Sequence, residues 1–444
     1  MKHLFNNLSK TELSHTVSGL KPLLKKLEMD RDLDPLMERI GDSRYVLLGE
    51  ASHGTHEYYA WRMKLTQRLI REKGFSFVAV EGDWPDCYRL NRYVKGYTGS
   101  GKNATEVMKA FRRWPTWMWA NWEVIAFAEW LRSFNKDRSA DKRVGFYGLD
   151  VYSLFESLEY IMEYLEKTDP KALETARRAV RCFQPYAGEE ERYARAAMLV
   201  PGPCENDVVE LLGKIRKEMV HYNTDHENVF SAEQNALVAV NAEKYYRSML
   251  RGGSLSWNIR DRHMVETLER LMRFHGPAAK AVVWEHNTHI GDARATDMAD
   301  DGTVNVGQLV MEQHETEGVV LVGFGSYSGM VIAARHWGDV MAEMEVPPAM
   351  PGSWESILHL ASGSKNKLLL TEDLAGSGLM QRPVGHRAIG VVYNPEFEQF
   401  GNYVPSLIPQ RYQAFLYLDE TTALHPLHIR PDGHQVPETY PFGV

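Results

Sequence analysis

The chain has 444 residues, with 51 basic and 59 acidic side chains and a net charge of −8. A hydrophobic fraction of 44% and a charged fraction of 25% belong to a folded globular protein and exclude a wholly disordered one. The acidic balance argues against a nucleic-acid partner, which needs Lys and Arg against phosphate, and no stretch approaches the roughly 18 apolar residues of a membrane span.

This length predicts two or three domain-sized units, or one large α/β domain with an insertion. The three cysteines, Cys87, Cys182 and Cys204, form no C-x-x-C pair. Their odd count and wide spacing predict neither a Cys-rich zinc site nor a disulfide framework. The segment from Met1 to His15 lacks the apolar run of a signal peptide. Together these features lead to the expectation of a cytoplasmic protein.

In chain order, short apolar runs stand at Tyr45–Leu48, Phe77–Val80, Val144–Tyr147, Ala281–Trp284, Val319–Val322 and Ile389–Tyr393. None alternates, as expected of parallel strands covered on both faces. Between the first two lies Thr55–Lys73. Here Tyr58, Trp61, Leu65, Leu69 and Ile70 recur at helical steps, Thr55 is placed as N-cap, and Gly74 sits just past the end. Strand, helix and strand make a right-handed βαβ unit. From Ser153 to about Pro277 the chain turns rich in Glu, Arg, Leu and Ala. Helices are predicted at Ser153–Glu166, Lys171–Cys182, Asn206–Tyr222, Ala232–Leu250 and Trp257–Phe274. The predicted fold is α/β, a largely parallel central sheet flanked by helices, with a large helical insertion. Residues 1–150 form the first part of the core, 151–277 the insertion, read equally well as a lid or a packed crossover, and 278–444 the second part.

Polar groups collect where the strands end. Gly49-Glu50 and Ser52-His53-Gly54 follow the first run, Glu81-Gly82-Asp83 the second, Gly148-Leu149-Asp150 the third, Glu285-His286-Asn287-Thr288-His289 the fourth, and Gly323-Phe324-Gly325-Ser326 the fifth. In open α/β sheets ligands bind at this edge, and a purely structural core has no need of such a set. His53 is the natural general base, because the histidine side chain as a type titrates near neutral pH, and Glu50 can orient it. Glu81 and Asp83 can join a charged network. Arg62 can hold a carboxylate or stabilise an oxyanion. His286 and His289 are candidates for an acid, a second base or a substrate contact.

Weaker signals accompany these. Trp114, Trp117, Trp119 and Trp122 read first as core, with Trp119 a candidate stacking surface for substrate. Ser326 lies in a glycine-rich stretch that lacks the Lys-Ser/Thr ending of a P-loop. No G-x-S-x-G elbow occurs, which disfavours a serine hydrolase.

The stretch Gly49-Glu-Ala-Ser-His-Gly-Thr55 resembles the G-E-x-x-H-G-T signature of the erythromycin esterase family. Arg62, Glu81, Trp257-Asn-Ile-Arg-Asp261 with Met264, and Trp284-Glu-His-Asn-Thr-His289 extend the resemblance. Phe324-Gly-Ser-Tyr-Ser-Gly329 and Gly352-Ser-Trp-Glu355 extend it further, so that it runs from about residue 40 to 420. It implies hydrolysis of an ester or lactone in a small molecule, by a histidine that activates water, with no covalent intermediate, metal or cofactor. His53 becomes the base and Glu50 its partner. Arg62 and Glu81 become support, and His286 or His289 a second acid/base or substrate contact. Glu285, Asp83, Asn287, Trp119 and Ser326 are taken as substrate-binding. Family members that open macrolides, an antibiotic-resistance activity, are expected to carry Ala where this chain has Glu285. Other relatives carry succinoglycan-biosynthesis labels, so the family does not fix a substrate. A metal-dependent hydrolase using the same Glu/His cluster, and a binding protein on the same fold, remain alternatives at this point.

Overall fold

The computed structural model describes residues 9–186, 190–199, 204–218, 225–250, 253–374 and 381–433, together with 377, 379 and 435. Its strands are β1 Lys25–Lys26, β2 Tyr45–Leu48, β3 Phe77–Asp83, β4 Gly145–Asp150, β5 Ala281–Trp284 and β6 Val319–Ala333. These are followed by β7 Ala342–Val346, β8 Lys367–Leu370, β9 Val384–Arg387, β10 Tyr403–Ser406 and β11 Ala414–Thr421. Nine of them form one sheet in the order β1-β8-β11-β6-β2-β5-β3-β4, with β7 added on β6, while β9 and β10 pair separately. The run from β11 through β6, β2, β5 and β3 to β4 is parallel, and the β1, β8 and β7 pairings are antiparallel.

The apolar runs are explained by cover on both faces. Val46, Leu48, Val78, Val80, Val282 and Trp284 point into one hydrophobic cluster. Their alternate neighbours Tyr45, Leu47, Phe77, Ala79, Ala281 and Val283 point into another. Five predicted strands are present. The sixth run is not a ladder strand: Ile389 and Val392 make only single bridges, to Ser52 and Ala334. The neighbouring strand is instead β9, and β11, with its Ala-Phe-Leu-Tyr-Leu start, takes the place in the sheet.

The helix after β2 runs His56–Lys73, and Gly74 ends it in a left-handed turn at φ 68°. Thr55 holds the N-cap position, but its side chain caps nothing; it is hydrogen-bonded to the Ser52 hydroxyl instead. Helices Leu154–Thr168, Pro170–Phe183 and Glu205–Glu218 begin within a residue or two of three predictions, His226–Met249 matches the fourth but begins well before the predicted Ala232, and Glu190–Leu199 is an additional one. The predicted end of the third, at Tyr222, lies outside the described residues. These helices bury a cluster of their own around Leu158, Ile161, Tyr193, Leu211 and Tyr245. The next helix, Leu255–His275, differs: Met264, Leu268 and Leu271 pack on the sheet face.

Cys182 and Cys204 form a disulfide, and Cys87 is buried outside that bond. Spacing alone was a poor guide, because the bond joins the end of one helix to the turn before another. Disulfides are rare in a reducing cytoplasm, so the cysteine argument for a cytoplasmic location falls away. Among the described residues, no helix is long and apolar enough to cross a membrane.

Candidate active site

The loop between β2 and its helix is held by backbone from several directions. The Gly49 N–H donates to Val322 O, the Ile389 N–H to Ala51 O, and the Asn287 N–H to Glu50 O, at 2.8 to 2.9 Å. Gly54 touches β6 so closely that a Cβ there would fall 1.9 Å from Ile332 O, which is why only glycine fits. A loop tied this way presents its side chains in one orientation.

Within it, His53 Nδ1 lies 2.8 Å from Glu50 Oε1, and Arg62 Nη2 donates to Glu50 Oε2 at 2.5 Å. All three side chains are fully buried. The Arg62 guanidinium rests on the Tyr59 and Trp284 rings, 4.4 and 5.1 Å from their centroids. Arg62 therefore braces Glu50 from behind. With Nδ1 turned to a carboxylate, His53 carries its proton there and leaves Nε2 as a lone-pair acceptor. That Nε2 is buried and has no protein partner.

His286, just past the end of β5, faces His53 with ring centroids 5.0 Å apart. Its Nδ1 accepts the Thr288 N–H at 3.3 Å, with the Thr288 hydroxyl at 2.9 Å. The backbone donor places the ring proton on Nε2, which is also buried and unpartnered. Burial and the adjacent His53 ring drive its pKa well below the ordinary histidine value, keeping it neutral. One free acceptor and one free donor thus stand on neighbouring buried rings.

Behind this pair lies a charged network. Arg260 donates to Glu81 Oε1 at 2.6 Å and to both oxygens of Asp150 at 2.8 and 3.0 Å. Glu81 Oε2 accepts the His286 N–H at 2.8 Å. Burial opposes the charge on Glu81, yet His289, Arg260 and His53 hold its carboxyl well below the usual range. His289 Nδ1 meets Asp261 Oδ1 at 2.9 Å, and the ring stacks on Trp257 at 4.6 Å. Arg260 Nη1 stands 3.0 Å from His289 Nε2. A guanidinium only donates, so in the neutral tautomer that fits this contact Nε2 accepts and Nδ1 holds the ring proton toward Asp261. Burial and Arg260 disfavour charge on the ring, but Asp261 and Glu81 outweigh them and raise its pKa.

Glu285 follows β5 into the same region, fully buried, with neither oxygen hydrogen-bonded. Burial, then Glu81 and Asp261, push its pKa well up, and it stands as a neutral acid. The structure thus brings His53, Glu50, Arg62, Glu81, His286, His289 and Glu285 into one connected group.

The other four sequence candidates spend polar atoms on the protein. Asn287 clamps Phe324 through both its N–H and C=O, with a further contact to His386. Trp119 donates to Glu81 O at 2.9 Å, Ser326 accepts from the Tyr58 hydroxyl at 2.9 Å, and Asp83 pairs with Arg113 at 2.6 Å. Asp83, raised to about 6 by burial despite Arg113, keeps one unpartnered oxygen. Among the tryptophans, Trp114, Trp117 and Trp119 are buried packing residues and Trp122 is exposed.

Residue-by-residue reading did not assign Arg260, Asp150 and Asp261. Asp150 shared the strand-end signal of Glu81. Arg260-Asp261 carried a signal too, since two charges interrupt the apolar face made by Trp257, Met264 and Leu268.

Comparison with known proteins agrees with this architecture. The erythromycin esterase family model matches residues 70–421, and the chain belongs to that family. The loop bearing Glu50 and His53 precedes the matched span. Erythromycin esterase type II of Escherichia coli is 29% identical over 146 residues, 32% of each protein, so the chain aligns with about a third of that relative's length. The putative hydrolase YbfO of Bacillus subtilis is 19% identical over 424 residues, covering 90% of this chain and 89% of that one. A crystal structure of a succinoglycan biosynthesis protein superposes with a TM-score of 0.77 at 19% identity, over 95% of this chain and all of that one. A histidine-to-asparagine variant of erythromycin esterase EreC, in its open conformation, gives 0.65 at 15% identity, over 91% and 96%. Membership of the family supports a hydrolase-like function.

Proposed function

We propose that this protein hydrolyses a carboxylic ester or lactone in a small molecule, with His53 as general base on water and no metal in the step. The observation that carries the reading is the pairing of free atoms: His53 Nε2 as acceptor and His286 Nε2–H as donor, on neighbouring buried rings 5.0 Å apart. Water held at His53 gives its proton to Nε2 while its oxygen attacks the carbonyl carbon. Glu50 stabilises the resulting imidazolium, and Arg62 balances Glu50. The neutral His286 donates to the developing oxyanion. The His53 imidazolium then returns its proton to the leaving oxygen. A positioned base supplies roughly 10²–10⁴-fold and an oxyanion donor about 10²–10³-fold.

A metal-free step is favoured because Glu50 and Glu81 are already committed. Glu81 is saturated by Arg260 and the His286 N–H, and Glu50 by His53 and Arg62. A macrolide preference, suggested by relatives' names, is the narrower reading, and the buried Glu285 beside the cluster weighs against it, since alanine is expected there in macrolide esterases. The test is a panel of aryl esters, aliphatic lactones and a macrolide, assayed with the wild type and His286→Asn. The proposal expects turnover on at least one class and a fall of about 10²-fold in the variant. Inertness across the panel, or an unimpaired variant, contradicts it.

A further inference from the structure

Away from the strand-end cluster, three side chains from distant parts of the chain converge on a single atom. His56 opens the helix His56–Lys73, Glu123 lies in the first turn of the helix Trp122–Asn135, and His425 stands in the tail beyond β11. His56 Nδ1 and His425 Nδ1 each lie 2.6 Å from the same oxygen, Glu123 Oε1. One candidate ligand atom from each of the three lies within 4.8 Å of the others. The two rings meet edge to face at 5.2 Å.

An ordinary histidine–carboxylate pair needs one imidazole, and here two compete for one oxygen. Glu123 is buried, and its second oxygen has no partner. The two imidazoles are 36% and 62% exposed, so the site is open to solvent on their side. The backbone around the site is already fixed. The His56 N–H donates to Thr422 O at 3.0 Å and the Trp122 N–H to His425 O at 2.9 Å. Bridges at Thr55–Ala423 and Asn121–Pro426 hold the tail on both sides.

We propose that His56, Glu123 and His425 bind one divalent transition-metal ion of the zinc class, clamping the C-terminal tail to the segment that carries His53. Two imidazole nitrogens and one carboxylate oxygen make a borderline donor set suited to zinc, with a fourth position left for water. Each ring presents the Nδ1 that now faces Glu123. On binding, a neutral ring moves its proton to Nε2, and an imidazolium releases one proton to solvent. The site shares no ligand with the His53 cluster, so the hydrolase reading and this one fail independently.

The test uses the full chain, stripped of metal and kept oxidised so that Cys182 and Cys204 stay bonded. Co²⁺ is titrated with absorption as the readout and Zn²⁺ by calorimetry. The wild type and His53→Ala are expected to bind one ion per chain with micromolar or tighter affinity. His425→Ala and Glu123→Gln are each expected to bind at least about tenfold more weakly, having lost one of three ligands. His425 is exposed enough for its variant to keep the fold, which circular dichroism checks. Millimolar binding by the wild type, or equal affinity and stoichiometry in His425→Ala, overturns the proposal.

Discussion

His53 and His286 close two adjacent parallel strands, β2 and β5, and meet with ring centroids 5.0 Å apart and opposite hydrogen-bonding character. Glu50 makes the free nitrogen of the first an acceptor, and the Thr288 N–H makes the free nitrogen of the second a donor. Neither character belongs to histidine as such. Each is imposed by the partner on the other ring nitrogen.

Glu50→Gln separates the two tasks of Glu50. An amide has one oxygen and cannot accept from both His53 and Arg62, which donate to different oxygens of the carboxylate. The buried guanidinium is left without its counter-charge. Breaking a buried pair costs about 3–5 kcal/mol, so chemical denaturation is expected to show a loss of that order together with a drop in kcat. An unchanged unfolding midpoint would mean that Arg62 is satisfied elsewhere.

Arg260→Met strips Glu81 and Asp150 of their common cation. Two buried carboxylates then repel one another, and His289 loses the donor on Nε2. The variant is expected to be among the most destabilised single substitutions in this chain, with Arg260→Lys recovering only part of the loss, because one ammonium cannot reproduce the guanidinium's fork. Melting temperatures of the two variants beside the wild type decide this, and full recovery by lysine would argue against the geometry.

Stability is expected to fall on both sides of a mid-range pH. The native His286 pKa is depressed, so between that value and the ordinary 6.5 only the unfolded chain holds the proton. Stability is therefore lost as pH drops below about 6.5. The native Glu285 pKa is raised from 4.5, so above that ordinary value only the native chain holds the proton. Stability is lost as pH climbs, by up to about 1.4 kcal/mol per pH unit until the native group ionises. Denaturation of Glu285→Gln at pH 6 and pH 9 checks the alkaline side: the variant should gain on the wild type most at pH 9. A gain independent of pH would show that Glu285 does not titrate in this way.

Reduction of the Cys182–Cys204 bond, which spans 22 positions, releases chain entropy worth about 3 kcal/mol to the unfolded state. Thermal melts of wild type and Cys204→Ser, each with and without reductant, should show the wild type falling to the level of the variant. Identical wild-type melts in both conditions would count against a stabilising bond.

Much of this arrangement was legible in the chain. Non-alternating runs such as Phe77–Val80 are strands because both sheet faces are covered, and polar residues just past their ends meet because parallel strands end on one side. Ile389–Tyr393 misled for the same reason in reverse. Ile389 pairs with the loop at Ser52, and Ile389 and Tyr393 pack with Val331, Ala333, Met344 and Val346, tertiary contacts that local pattern cannot distinguish from a sheet position. Arg260 and Asp261 reach the cluster from a helix more than a hundred residues after β4, and only the packing of that helix on the sheet face makes them neighbours of Glu81 and His289. Asn287 and Ser326 showed the limit of residue type as evidence. Both are polar and stand at strand ends, yet their atoms serve the backbone of β6 and a buried tyrosine.

The most direct test of the account is turnover of an ester or lactone substrate by His53→Ala beside the wild type, with melting curves on the same samples. Loss of about 10²–10⁴-fold in kcat/KM, with the melting transition retained, is the predicted result. A folded variant that turns over at close to the wild-type rate would contradict it, because the step would then not depend on the Nε2 acceptor that Glu50 sets up.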